Sequence, residues 1–83
     1  MSKIEITFHN EIGIRTLAQI FVDQTLISSR VAEPGKSCVL LAESGQYDIY
    51  FKNGMTGWEL TRKLGVKLKR ITLMKSQGQY VIK

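Results

Sequence analysis

Eighty-three residues are enough for one domain, spanning 1–83, with one small core and no room for a second. A single cysteine, Cys38, and a single histidine, His9, exclude an internal disulfide framework and a four-ligand zinc site. The net charge of +5 is uneven: residues 1–60 carry five cations against seven acids, whereas residues 61–83 carry seven cations and no acid.

Met1-Ser2-Lys3 leads straight into Ile4-Glu5-Ile6-Thr7, with no apolar stretch of the export-signal kind, so a soluble cytoplasmic protein is the expectation. The longest apolar run, Cys38 to Ala42, is too short to cross a bilayer. Ile4, Ile6 and Phe8 alternate with Lys3, Glu5, Thr7 and His9, which predicts a half-buried first strand. Leu17 to Val22 is apolar on both parities. Such a strand is covered on both faces, or its second face meets another subunit. Asp23-Gln24 then turns the chain into Leu26 to Val31, and Pro34-Gly35 suits the central positions of a type II turn.

Ser37 to Ala42 and Tyr47 to Lys52 form a predicted hairpin joined across Glu43-Ser44-Gly45-Gln46. Gly65 to Lys69 alternates, and Ile71 and Leu73 continue on the opposite parity, which predicts a bulge near Lys69-Arg70. Ser76-Gln77-Gly78 turns into a last strand, Gln79 to Lys83, in which Tyr80 and Ile82 can pack.

Two segments carry a competing helical pattern. Thr56-Gly57-Trp58-Glu59 fits a capping box, followed by Leu60 and Leu64 at i, i+4 and by Gly65 as a stop, so a short helix over 57–64 competes evenly with a strand. Ile14, Leu17, Ala18 and Phe21 form a helical stripe. Two helices there would give a ferredoxin-like βαββαβ order, the alternative fold. Against the first helix stand Ile14, Thr16, Ile20, Val22, Thr25 and Ile27, whose branched side chains prefer strands, and strand is favoured there. The fold expected is all-β: a small antiparallel β-sandwich or partly open barrel. The succession Ala18 to Asp23, Pro34-Gly35 and Gly45-Gln46-Tyr47-Asp48-Ile49 resembles, in layout over about residues 17–73, small transthyretin-like sandwich modules, including the PEGA type. The Pro-Glu-Gly-Ala motif itself is absent.

Chemistry is sparsely represented. His9 lies on the outward face of its strand, no Gly-x-Ser-x-Gly elbow is present, and the glycines match neither a Walker loop nor a dinucleotide fingerprint. Cys38 reads as a small buried hydrophobe rather than a nucleophile. No cofactor and no metal site is expected, and the domain is read as a non-enzyme. Asn53-Gly54-Met55-Thr56-Gly57-Trp58 is the most unusual segment; Asn53, Gly54, Met55 and Trp58 are candidates for a partner-binding loop. Burial of Trp58 as the largest core side chain is the favoured rival. Arg62, Lys67, Lys69, Arg70 and Lys75, with Tyr50 as a stacking ring, are candidates for an anion-binding surface. The leading expectation is a binding module acting through protein–protein association, including a homo-oligomer, because association is the staple left to so small a core. A nucleic-acid or other polyanion partner is the alternative.

Overall fold

A computed structural model describes residues 3–43 and 45–83. Met1 and Ser2, used above in reading the start of the chain, and Ser44 of the Ser44-Gly45 turn lie outside them. Eight strands follow one another: β1 (Lys3–Asn10), β2 (Thr16–Val22), β3 (Thr25–Ala32), β4 (Ser37–Glu43), β5 (Tyr47–Asn53), β6 (Glu59–Val66), β7 (Arg70–Ser76) and β8 (Gln79–Ile82). They form two four-stranded sheets, ordered β4-β1-β7-β8 and β3-β2-β5-β6, called here sheet A and sheet B. Every pairing is antiparallel except β1 with β7. The all-β sandwich is therefore the fold, and neither the barrel nor the ferredoxin-like order describes it.

Alternation puts one face of each sheet inside. Ile6, Phe8, Leu40, Ala42, Ile71 and Leu73 from sheet A meet Ala18, Ile20, Tyr47, Ile49, Phe51 and Val66 from sheet B. Phe8 and Phe51 join the layers, their ring centroids 4.9 Å apart and tilted by 45°. Truncating a ring of this kind costs about 3–5 kcal/mol, most of the margin of so small a domain. Tyr80 and Ile82 pack against this core, as their parity predicts.

The turns follow their dipeptides. Gly35 has φ +77 and the Lys36 amide donates to the Glu33 carbonyl at 3.0 Å, closing the expected type II turn. Asp23 and Gln24 (φ +50 and +66) and Gln77 and Gly78 (φ +53 and +80) make two-residue hairpin turns of the left-handed type that matches strand twist.

Several expectations fail for one reason: the chain changes sheet where a local reading keeps it in one. Ser37 to Ala42 and Tyr47 to Lys52 are strands, but β4 pairs with β1 and β5 with β2, so they form no hairpin. Both carry a core-facing row, and linking them between the layers buries both rows at once. The parity change after Lys69 is likewise the crossing from sheet B to sheet A, not a bulge. Bulges occur instead within β6, at Leu60 and at Leu64-Gly65, where the register with β5 shifts twice. Gly65 takes φ +66 there and its amide donates to the Asp48 carboxylate at 3.0 Å.

No helix forms over 57–64; residues 59–66 are β6, and the stripe at Leu17 to Phe21 is β2. The capping-box residues are used differently. Thr56 Oγ1 accepts from the Trp58 amide at 3.3 Å within the β5–β6 loop, and Glu59 pairs with Arg62 instead of reaching back. Leu60 packs on the core but Leu64 is exposed, so the i, i+4 stripe has no common surface to bury.

Candidate functional site

The register brings the loops β1–β2, β3–β4, β5–β6 and β7–β8 to one end of the sandwich. The β5–β6 loop at this end holds Asn53, Gly54, Met55 and Trp58 together, and it is tied down. Asn53 Oδ1 accepts from the amides of Met55 (2.8 Å) and Thr56 (3.2 Å), and its carbonyl accepts from Gly57 at 2.8 Å. The Gly54 amide donates to the Arg15 carbonyl at 2.8 Å. A side chain at Gly54 would come within 2.9 Å of Arg15 Cγ and 3.0 Å of its carbonyl oxygen, so this close approach needs glycine. Arg15 is itself held, Nε to Glu33 Oε2 at 3.1 Å.

On this anchored loop the apolar side chains point outward. Trp58 is 77% exposed and Met55 75%. The favoured expectation that Trp58 fills the core is corrected: the β5–β6 hairpin closes between Asn53 and Trp58, with the Asn53 amide donating to the Trp58 carbonyl at 2.8 Å, which leaves the indole beyond the last inward row.

The basic candidates are not gathered into one surface. Arg62 lies on the outer face of sheet B, where Nε and Nη2 donate to both Glu59 oxygens at 3.0 and 2.9 Å. Its guanidinium also sits 4.6 Å from the Tyr50 ring centroid and donates to the Tyr50 hydroxyl at 3.3 Å. The Tyr50 ring meets Phe21 edge-on at 5.0 Å, so neighbours in its own sheet already occupy it. Lys67 and Lys69 are exposed in the β6–β7 connection, Arg70 begins β7 in the other sheet, and Lys75 lies over Tyr80 at 5.4 Å near the loop end.

Three features escaped the sequence reading. Asn10, fully buried, donates through Nδ2 to the carbonyls of Ile14 (2.8 Å) and Ala32 (2.9 Å), and its Oδ1 accepts from the Ile12 amide at 3.0 Å. It fastens the β1–β2 loop to the end of β3. His9 bridges Glu11 and Ser37: Nε2 donates to Glu11 Oε1 at 2.8 Å, and Nδ1 hydrogen-bonds with the Ser37 hydroxyl at 2.7 Å. The trio has the composition of a hydrolytic triad, but hydroxyl and carboxylate occupy the opposite ring nitrogens, and Ser37 lies in a regular strand rather than at a strained turn. Finally, Phe21, Asp23, Gln24, Gln46, Tyr47, Asp48 and Gly65 line an open cleft of about 290 Å³ at the opposite end from the loops. The His9–Glu11 spacing of two, across the end of β1, was the available signal for the trio; only the tertiary pairing of β1 with β4 brings in Ser37.

Among the described residues no group of three or more acidic, histidine or cysteine side chains is placed to hold a metal, and no helix is long and apolar enough to cross a membrane. No protein-family model matches this chain, and no curated protein matches it in sequence.

Proposed function

We propose that this domain is a non-catalytic interaction module that works through protein–protein association, self-association included. The observation carrying this reading is the β5–β6 loop: a backbone fixed by side-chain hydrogen bonds and by Gly54 against Arg15, presenting Met55 and Trp58 to solvent. Tryptophan and methionine are enriched at interfaces, and a pre-ordered loop loses little entropy on docking. The alternative, polyanion binding, has less to stand on, since Arg62 and Tyr50 are engaged with neighbours and the other cations are divided between the sheets.

Sedimentation velocity over a hundredfold concentration range, with the melting temperature at each point, tests the reading. Mass and melting temperature should both rise with concentration. A monomer mass throughout, with a constant melting temperature, would remove self-association. The emission of Trp58, the chain's one tryptophan, should be that of a hydrated indole at low concentration. Trp58→Ala should change stability by less than about 0.5 kcal/mol, as for a surface site. A blue-shifted emission with a loss of several kcal/mol would return Trp58 to the core and take away the loop.

A further inference from the structure

The outer face of sheet B forms a grid in register. Val31, Leu17, Lys52 and Glu59 make one row across the four strands, Ser29, Gln19, Tyr50 and Arg62 the next, and Leu26, Phe21 and Asp48 the third. The half built on β2 and β3 is apolar at Val31, Leu17, Leu26 and Phe21. The half on β5 and β6 carries two cations and two acids, so the face is neutral on a chain of net charge +5. The outer face of sheet A differs: its apolar residues are split, Val39 and Leu41 on edge strand β4 and Met74 opposite Val81 on β7 and β8, with Thr7, His9 and Thr72 between them.

From this grid we infer that the outer face of sheet B is a two-fold interface with a second copy of this chain, centred on Gln19. The inference rests on the association reading above, and assigns its self-association to this face rather than to the β5–β6 loop. Three observations select a second copy. The chain's excess positive charge lies off this face, so two copies can approach here with the least repulsion, while a polyanion gains nothing from it. Gln19 stands mid-row, and its Oε1 is shielded from solvent with no hydrogen-bond partner, a costly state for an amide oxygen. A residue on a two-fold axis meets its own copy, and a carboxamide, being donor and acceptor at once, can pair reciprocally with itself when it reorients on docking. The third is area. Strands about 4.8 Å apart and outward residues about 6.8 Å apart give a face of about 20 × 20 Å. Two such faces cover on the order of 800 Å² in projection, the range of weak, dissociable contacts. The dimer is therefore reversible, not obligate.

The experiment is sedimentation equilibrium of the full chain and of three variants, each checked for an unchanged melting profile at low concentration. Leu26→Lys/Val31→Lys, at two exposed positions, should raise the dimer dissociation constant at least about tenfold. Gln19→Glu should weaken the dimer at neutral pH and recover it when the paired carboxylates are protonated. Trp58→Ala tests the β5–β6 loop as the rival contact. Dimerisation that survives both face variants but is lost in Trp58→Ala overturns this interface and keeps the association reading. A monomer at all concentrations overturns both. As a second measurement, Gln19→Cys in a Cys38→Ala background should oxidise to a covalent dimer, whereas Val39→Cys on the opposite face should not; equal yields would overturn the assignment.

Discussion

Asn10 shows how much one polar side chain can do where two layers meet a loop. Its carboxamide satisfies two buried carbonyls and one buried amide, while its own amide and carbonyl bond to Lys36 and Gly35 at 2.9 and 2.8 Å. Each bond is worth about 1 kcal/mol net, but an orphaned buried group costs about 1–3 kcal/mol. Asn10→Ala should therefore destabilise by about 3 kcal/mol or more in urea melts, and a change under 1 kcal/mol would show the loop to be held otherwise. Tyr47 makes the complementary case. Burial pushes its phenol up to about 12, and its hydroxyl donates to the Leu68 carbonyl. A phenol whose folded value exceeds its unfolded value near 10 stabilises fully below pH 10 and loses that contribution as pH rises through 12. The wild type should lose on the order of 1–2 kcal/mol between pH 10 and 12, and Tyr47→Phe, already lacking the hydroxyl bond, should lose less over the same window.

Among the elements, the two-residue turns are where sequence and geometry can be compared side by side. Gln77-Gly78 puts glycine at the second left-handed position, whereas Asp23-Gln24 puts glutamine there at φ +66. A side chain in that region costs about 1 kcal/mol. Gln24→Gly should raise stability by up to about 1 kcal/mol, and a loss would mean that the Gln24 side chain holds the turn in place. Turns and strand faces were legible for the same reason: φ requirements and a period of two are local. Pro34-Gly35 and the Ile4-Ile6-Phe8 row needed nothing distant. Strand partners were not legible, because β4 and β5 each carry a face that any sheet could bury, and the short link between them does not say which. Trp58 was misread because size and average burial place a tryptophan in the core; the helix over 57–64 was misread because Thr56 to Glu59 fits a capping box, and only the pairing of β6 with β5 decides both. The unusual make-up of the β5–β6 loop was legible in composition, while the sheet B grid needed the register of four strands.

At the scale of the whole molecule, charge and apolar surface are kept apart. Of the seven cations of residues 61–83 only Arg62, paired with Glu59, lies on the neutral grid of the outer face of sheet B; the other six project from the edge of β6, the β6–β7 connection and sheet A. Strong net charge keeps a small domain soluble while opposing its own association, and added salt relieves the opposition by screening. Self-association should therefore strengthen as salt rises, the reverse of polyanion binding, which weakens as counterions return to the polyanion. Lys67→Glu/Lys69→Glu lowers the net charge from +5 to +1 at two exposed positions off the grid. If the lysines serve solubility, the double variant dimerises at lower protein concentration than the wild type and loses most of the salt dependence. If they serve a polyanion, its effect appears instead as a severalfold weaker, less salt-sensitive titration with a generic oligonucleotide. Sedimentation of both proteins at 50 and 500 mM salt (about a threefold change in screening length), with and without the oligonucleotide, separates the two. An unchanged dimerisation constant at both salt concentrations would show that long-range repulsion does not oppose the contact.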